Sequence, residues 1–202
     1  MVGVIALFRV RRREAPAQAD NHLTQPRVGE LSHFTREEIM SKQATMTVEP
    51  STDLLNVLKE DHQTVKELFE RFEQTADAEE RAEIIKTAIN ELEVHAELEE
   101  KIVYPALRAH LEEDDLINEA LEEHHVVHLL IKELKGARGN TGRRDAKFTV
   151  LVENVKHHIK EEEECLFPES LVLDLDWESL SAKVEKKKAQ LISQKEPPKR
   201  KR

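Results

Sequence analysis

His95-Ala-Glu-Leu-Glu99-Glu-Lys-Ile-Val-Tyr104-Pro105 and His158-Ile-Lys-Glu-Glu162-Glu-Glu-Cys-Leu-Phe167-Pro168 are two copies of one pattern: H-x-x-x-E-E, two variable residues, an apolar residue, an aromatic and a proline. Upstream of each copy stands a second shared element, Glu60-Asp61-His62 and Glu122-Glu123-His124. These repeats predict a fold built from two versions of one helix pair. In this alignment Lys66 falls where His128 sits, which breaks the symmetry.

Working outward, the apolar spacing around each element is that of a helix face. Leu55, Leu58, His62, Val65, Phe69 and Phe72 succeed one another at steps of three and four over about 52–75;. Ile85, Ala88, Leu92, His95, Glu99 and Ile102 do the same over about 79–103, with Pro105 ending or kinking the helix;. A third stripe over about 115–135 runs Ile117, Ala120 or Leu121, His124, Val127 or His128, Ile131, Leu134, and stops in the glycine-rich loop 136–142;. The fourth, about 145–166, runs Phe148, Leu151, Val155, His158, Glu162, Cys165. Ser51-Thr52-Asp53 offers capping chemistry ahead of the first helix;. Four helices with short links predict an all-α, up-down-up-down four-helix bundle over residues 51–170. Residues 171–202 add an amphipathic helix near Trp177 to Ile192 and a basic tail, and residues 1–48 read as a disordered arm, with Met40 and Met46 as alternative translation starts.

Composition agrees. Of 202 residues only five are Gly, and aromatics are 4%, which argues against a strand-rich fold;. The single cysteine, Cys165, excludes an intramolecular disulfide framework and makes a reducing, cytoplasmic setting the expectation;. No apolar run reaches the roughly 18 to 20 residues that span a bilayer, and Met1 to Val10 lacks the flanks of a secretory signal;. The net charge of −10 is segregated: residues 49–182 carry 15 Lys/Arg against 34 Asp/Glu, whereas residues 183–202 carry nine against two. An acidic body with eight of the ten histidines is a host for cations, and it repels phosphate, so no nucleic-acid partner is expected;. The tail ending KEPPKRKR reads as a solubilising segment;.

Antiparallel helices bring His62, His95, Glu99, His124, His128, His158 and Glu162 to one layer of the core;. An unpaired buried carboxylate or imidazolium costs several kcal/mol, so seven such groups together require pairing or a metal. Imidazole and carboxylate without thiolate suit first-row ions, and seven ligands are too many for one zinc. They suit two ions bridged by Glu99 and Glu162, with His62, His95, His124, His128 and His158 as terminal ligands and a position left for water, hydroxide or dioxygen. His125 falls off the stripe, and His110, His22 and His33 are unrelated to the layer. Cys165 reads as a small core residue, and Tyr104 and Phe167 as apolar plugs at the bundle end;.

A lone His on the first helix, H-x-x-x-E on the second, H-x-x-x-H on the third and a His followed by a carboxylate on the fourth resemble the hemerythrin HHE cation-binding family over about residues 52–170. The resemblance implies a non-haem di-iron centre, two iron ions bridged by carboxylates, able to bind dioxygen. Position by position it puts the ligands at His62, at His95 and Glu99, and at His124 and His128. On the fourth helix the family's animal oxygen carriers space His and Asp five apart. Here the stripe and the repeat favour His158 with Glu162, four apart, over His157 with Glu162. The function expected is binding of, or reaction with, dioxygen, peroxide or nitric oxide in storage, sensing or stress protection. A metal-responsive interaction module and a di-iron peroxidase or ferroxidase are the alternatives.

Overall fold

Helices account for nearly all of the described chain. The computed structural model describes residues 50–111, 113–136 and 141–195. The expected N-terminal arm, the loop tip at 137–140 and the basic end beyond Lys195 lie outside the described residues. Helix α1 (Pro50–Gln74) opens on a proline, whose missing N–H costs nothing in a first turn;. Ser51-Thr52-Asp53 therefore falls inside the first turn rather than at the cap, and Asp53 there faces the positive end of the helix dipole;. After residues 75–77, α2 (Ala78–Leu98) is capped by Asp77, which accepts from the backbone N–H groups of Glu79 at 3.0 Å and Glu80 at 2.7 Å;.

Both copies of the H-x-x-x-E-E pattern then do something the periodicity did not foresee. Each passes through one π-helical turn, π1 (Glu99–Val103) and π2 (Glu162–Leu166), before α3 (Tyr104–Arg108) and α6 (Phe167–Ser170). The amide of Tyr104 donates to the Glu99 carbonyl, and that of Phe167 to the Glu162 carbonyl, five residues back;. The wide turn makes room for the rings of Pro105 and Pro168, which in a regular helix collide with the carbonyl four residues earlier. One extra residue per turn rotates the rest of each helix about its axis. Val103 and Leu166 are buried where Ile102 and Cys165 were expected, and Cys165 is exposed rather than in the core. The helix also continues to Arg108, so Pro105 does not end it.

The bundle is completed by α4 (Asp115–Gly136) and α5 (Thr141–Glu161). On the third stripe Ala120 is buried rather than Leu121, and Val127 rather than His128, which lies outward. Among the described residues there are no strands, and no helix is long and apolar enough to cross a membrane. The apolar core falls into two clusters. One holds Val65, Phe69, Phe72, Leu92, Val127, Phe148, Leu151 and Val155, with the Phe148 ring edge-on to Phe69 and Phe72. The other holds Leu54, Leu58, Val94, Leu98, Val103, Tyr104, Leu166 and Phe167. His62 and His124 sit in sequence between residues of the two clusters, so the polar layer is walled by hydrocarbon on both sides. The expected amphipathic helix is α7 (Trp177–Lys195). Its Leu180 and Val184 join the second cluster, and Lys187, Lys188 and Lys195 pair with Glu97, Asp61 and Glu93.

Candidate metal centre

Six of the seven expected residues meet in the layer: His62, His95, Glu99, His124, His158 and Glu162 are each 6% exposed or less. They form two imidazole pairs. His62 and His95 bring their Nε2 atoms to 3.0 Å, and His124 and His158 bring theirs to 3.1 Å. Each carboxylate spans both pairs. Glu99 lies 3.0 Å from His95 and 3.4 Å from His124, and Glu162 lies 3.2 Å from His62 and 3.4 Å from His158. At these ion-pair distances both oxygens of Glu99 and Oε2 of Glu162 still lack a directed hydrogen bond. Buried oxygens without hydrogen bonds are rare in folded proteins. Within the layer His62, His95, Glu99 and Glu162, and likewise Glu99, His124 and His158, bring ligand atoms within 4.8 Å of one another, as a cation site requires.

The outward Nδ1 atoms face a second ring of four carboxylates that the helical periodicity did not reveal. Glu163 stands 2.9 Å from His62, Glu100 3.0 Å from His124 and Glu123 2.8 Å from His158, while Asp61 forms a looser 3.6 Å ion pair with His95. A carboxylate on the outer nitrogen orients the ring and sets its tautomer, so that Nε2 is presented inward. The arrangement is pseudo-twofold: Asp61 answers Glu123, and Glu100 answers Glu163. His128 belongs to this outer ring. It is 45% exposed and contacts Glu100 at 2.7 Å, as Lys66 contacts Glu163 at 3.0 Å. The Lys66/His128 mismatch is thus one nitrogen partner of an outer glutamate exchanged for another outside the layer, and the expected convergence of seven groups is corrected to six. The signal for the outer ring was present in Glu60-Asp61-His62, Glu122-Glu123-His124 and the doubled glutamates, as acids adjacent in sequence to His62, His124, Glu99 and Glu162.

Tyr104 breaks the symmetry. Its phenol, 2% exposed, donates to Glu162 Oε1 at 2.7 Å and lies 3.4 Å from His124, so it is a polar member of the layer and not an apolar plug. Phe167, its counterpart, stacks on His62 with ring centres 5.8 Å apart. His158 lies in the layer, whereas His157 is 62% exposed and contacts Glu123 and Glu161. His125 is exposed, and His110 is exposed with Nδ1 on the Ala106 carbonyl; His22 and His33 lie outside the described residues.

Electrostatics shift the titration of His95, Glu99, Glu100, Tyr104, His158 and Glu162. Burial opposes the His95 imidazolium, but the Glu99 charge and the neighbouring Asp61 outweigh it and raise its pKa to about 10;. Burial also opposes the His158 cation, and Glu162 lifts its pKa well above the ordinary histidine value. Glu162 is held well below the carboxylate range despite burial, chiefly by His158. Glu99 is lowered by His95 and His124 against burial and the Glu162 charge. Hydrogen bonds from His124 lead in drawing Glu100 down to about 2. Burial and the adjacent acids push the Tyr104 phenol well above its ordinary value, so it is a hydrogen-bond donor. A cavity of about 20 Å³ adjoins the layer, lined by the four buried histidines with Val65, Leu92, Val127, Val155 and Ile159. That is room for a water or a diatomic molecule against an apolar wall.

The family described as the hemerythrin HHE cation binding domain matches residues 53–170. A protein described as a DNA nickase from Nostoc sp. (strain PCC 7120 / SAG 25.82 / UTEX 2576) is 27% identical over 115 residues, 57% of this chain. The chain spans only 32% of that relative's length. No solved structure matches.

Proposed function

The chain belongs to the hemerythrin HHE cation-binding family, and on that premise we propose that its buried layer holds two iron ions and binds or reacts with dioxygen, peroxide or nitric oxide. His62 and His95 would hold one ion, His124 and His158 the other, with Glu99 and Glu162 shared between them. The observation that carries the reading is the three buried carboxylate oxygens without hydrogen bonds between two converging imidazole pairs. All six donors are nitrogen or carboxylate oxygen, a set that suits first-row ions in this borderline class. Bound iron would supply redox chemistry and an open position for a small ligand.

The chain's own residues do the rest. Asp61, Glu100, Glu123 and Glu163 orient the imidazoles, and the two apolar clusters exclude water. Tyr104 offers one proton in a hydrogen bond to Glu162. The apolar cavity beside the histidines favours an uncharged diatomic over an anion;. Metal analysis with absorption spectra under air, under nitric oxide and after anaerobic reduction tests this. About two irons per chain with ligand-sensitive charge-transfer bands support it, and a colourless ion or none after iron reconstitution refutes it. Steady peroxide turnover would identify an enzyme, and reversible oxygenated spectra a carrier or sensor.

One contact favours a metal-responsive module as a second reading. Lys188 of α7 holds Asp61, and Asp61 faces His95, so a charge arriving at His95 is felt by a helix outside the four-helix body. Protection of α7 from protease that depends on iron, with no spectral response to oxygen, would select it. The nicking activity named for the Nostoc relative is not carried over, because a DNA backbone would meet 34 acidic against 15 basic side chains in residues 49–182.

A further inference from the structure

The two repeats differ on the face outside the layer. In the first, Leu58, Val94 and Leu98 are buried, in the cluster that α7 completes with Leu180 and Val184. At the equivalent places the second repeat has Ala120, His157 and Glu161, and Glu119 replaces Val57. Three apolar positions under a helix become a small residue, an imidazole and a carboxylate, with a further carboxylate beside them.

His157 Nε2 lies 3.3 Å from Glu161 and 3.5 Å from Glu123, whose other oxygen holds His158 at 2.8 Å. These three side chains bring ligand atoms within cation-binding distance of one another. Behind them a cavity of about 10 Å³, the width of one water, is lined by Ala120, Glu123, Glu161, His158 and Glu162;. It reaches Glu162, which is 1% exposed and whose Oε2 has no hydrogen bond.

We propose that Glu123, His157 and Glu161 form a capture site for a divalent first-row cation, at the mouth of the path by which that cation reaches Glu162 and the buried layer. It rests on the reading of that layer as a metal centre. A cavity one water wide passes a bare ion and not a hydrated one, so donors at its mouth must replace the hydration shell before the ion moves inward. An imidazole with two carboxylates does this for a first-row ion, whereas magnesium and calcium prefer oxygen throughout. The acidic rim raises the local cation concentration and the rate of capture. On the opposite face α7 and its lysines close the equivalent route.

The test uses the full-length, metal-stripped chain and Co²⁺ alone, with stopped-flow visible absorption for loading of the layer and equilibrium dialysis for the final count. His157→Ala alters an exposed side chain and Glu161→Gln keeps the shape of a half-buried one, and far-UV circular dichroism confirms that both variants are folded. The expected result is loading slowed by about tenfold or more with an unchanged final spectrum and one weakly held ion fewer. Lys187→Ala, on the covered face, loads at the wild-type rate. Loading at the wild-type rate in both His157→Ala and Glu161→Gln overturns the capture site. Failure of the underlying reading is distinguishable: Glu99→Gln then leaves Co²⁺ uptake and spectrum unchanged.

Discussion

Replacing Glu162 by Gln keeps the shape of the side chain and removes its charge at the point where the two halves of the layer meet. Glu162 lies 3.2 Å from His62 in one half and 3.4 Å from His158 in the other, and it accepts from Tyr104 at 2.7 Å. In the metal-stripped chain the phenol can still donate to the amide oxygen. His158, which Glu162 lifts well above the ordinary histidine value against burial, loses its counter-charge, and breaking one side of a buried pair costs about 3 to 5 kcal/mol, here at the lower end because the hydrogen bond survives;. The loaded protein loses more. An ion present at about 100 times its Kd stabilises the fold by about 2.7 kcal/mol, so two ions contribute about 5 kcal/mol. At about 2–4 °C per kcal/mol for a chain of this size, wild-type loading raises Tm by about 10–20 °C. Glu162→Gln removes a donor from both positions and is expected to give at most half that rise and at most one ion per chain. Scanning calorimetry of stripped and reloaded protein, with elemental analysis and far-UV circular dichroism to confirm folding, measures all three quantities. A variant that takes up two ions with the wild-type rise in Tm refutes the shared-carboxylate geometry.

The same contacts set the outcome of other perturbations. Tyr104→Phe leaves Glu162 Oε1 without its donor and should cost the stripped protein about 1–3 kcal/mol by denaturant unfolding, with metal count unchanged;. Phe148→Ala, in the cluster on the far side of the layer from Tyr104, should cost about 3–5 kcal/mol and also leave the count unchanged; a lost ion would show that the two clusters do not act separately;. The His95 pKa is raised from 6.5 to about 10, so its contribution to the stripped fold is fully present below about pH 6.5 and is lost as pH rises through 10;. The Tm of stripped protein should therefore fall between pH 7 and 10. The rise in Tm on adding metal should grow over the same interval, because a proton no longer competes for Nε2. A flat profile in thermal melts would contradict this.

Sequence periodicity reached the four-helix body, the extra helix and the layer of buried His and Glu, because hydrocarbon and charge cannot share a helix face without a compensating partner. The repeat H-x-x-x-E-E carried the pairing of helices as well. What periodicity missed lies where a helix is not a regular α-helix. The π turns at Glu99–Val103 and Glu162–Leu166 move the buried face by one residue, so Cys165 lies outside and Leu166 inside. The proline after each turn was the visible sign, but a proline alone does not say whether a helix stops, kinks or widens.

The spacing in the chain thus determined which residues reach a common layer, since rise and twist per residue are properties of the backbone itself. It did not determine which side of a helix His128 occupies, or that Asp61, Glu100, Glu123 and Glu163 stand behind the imidazoles. Those depend on contacts between residues as much as 101 positions apart, such as His62 with Glu163. Only the packed structure decided that α7 packs on the first repeat through Leu180 and Val184, while at the equivalent places of the second His157 is exposed and Glu161 half-buried. Helix docking is a matter of surfaces meeting in three dimensions, and no local pattern encodes which surface is left uncovered.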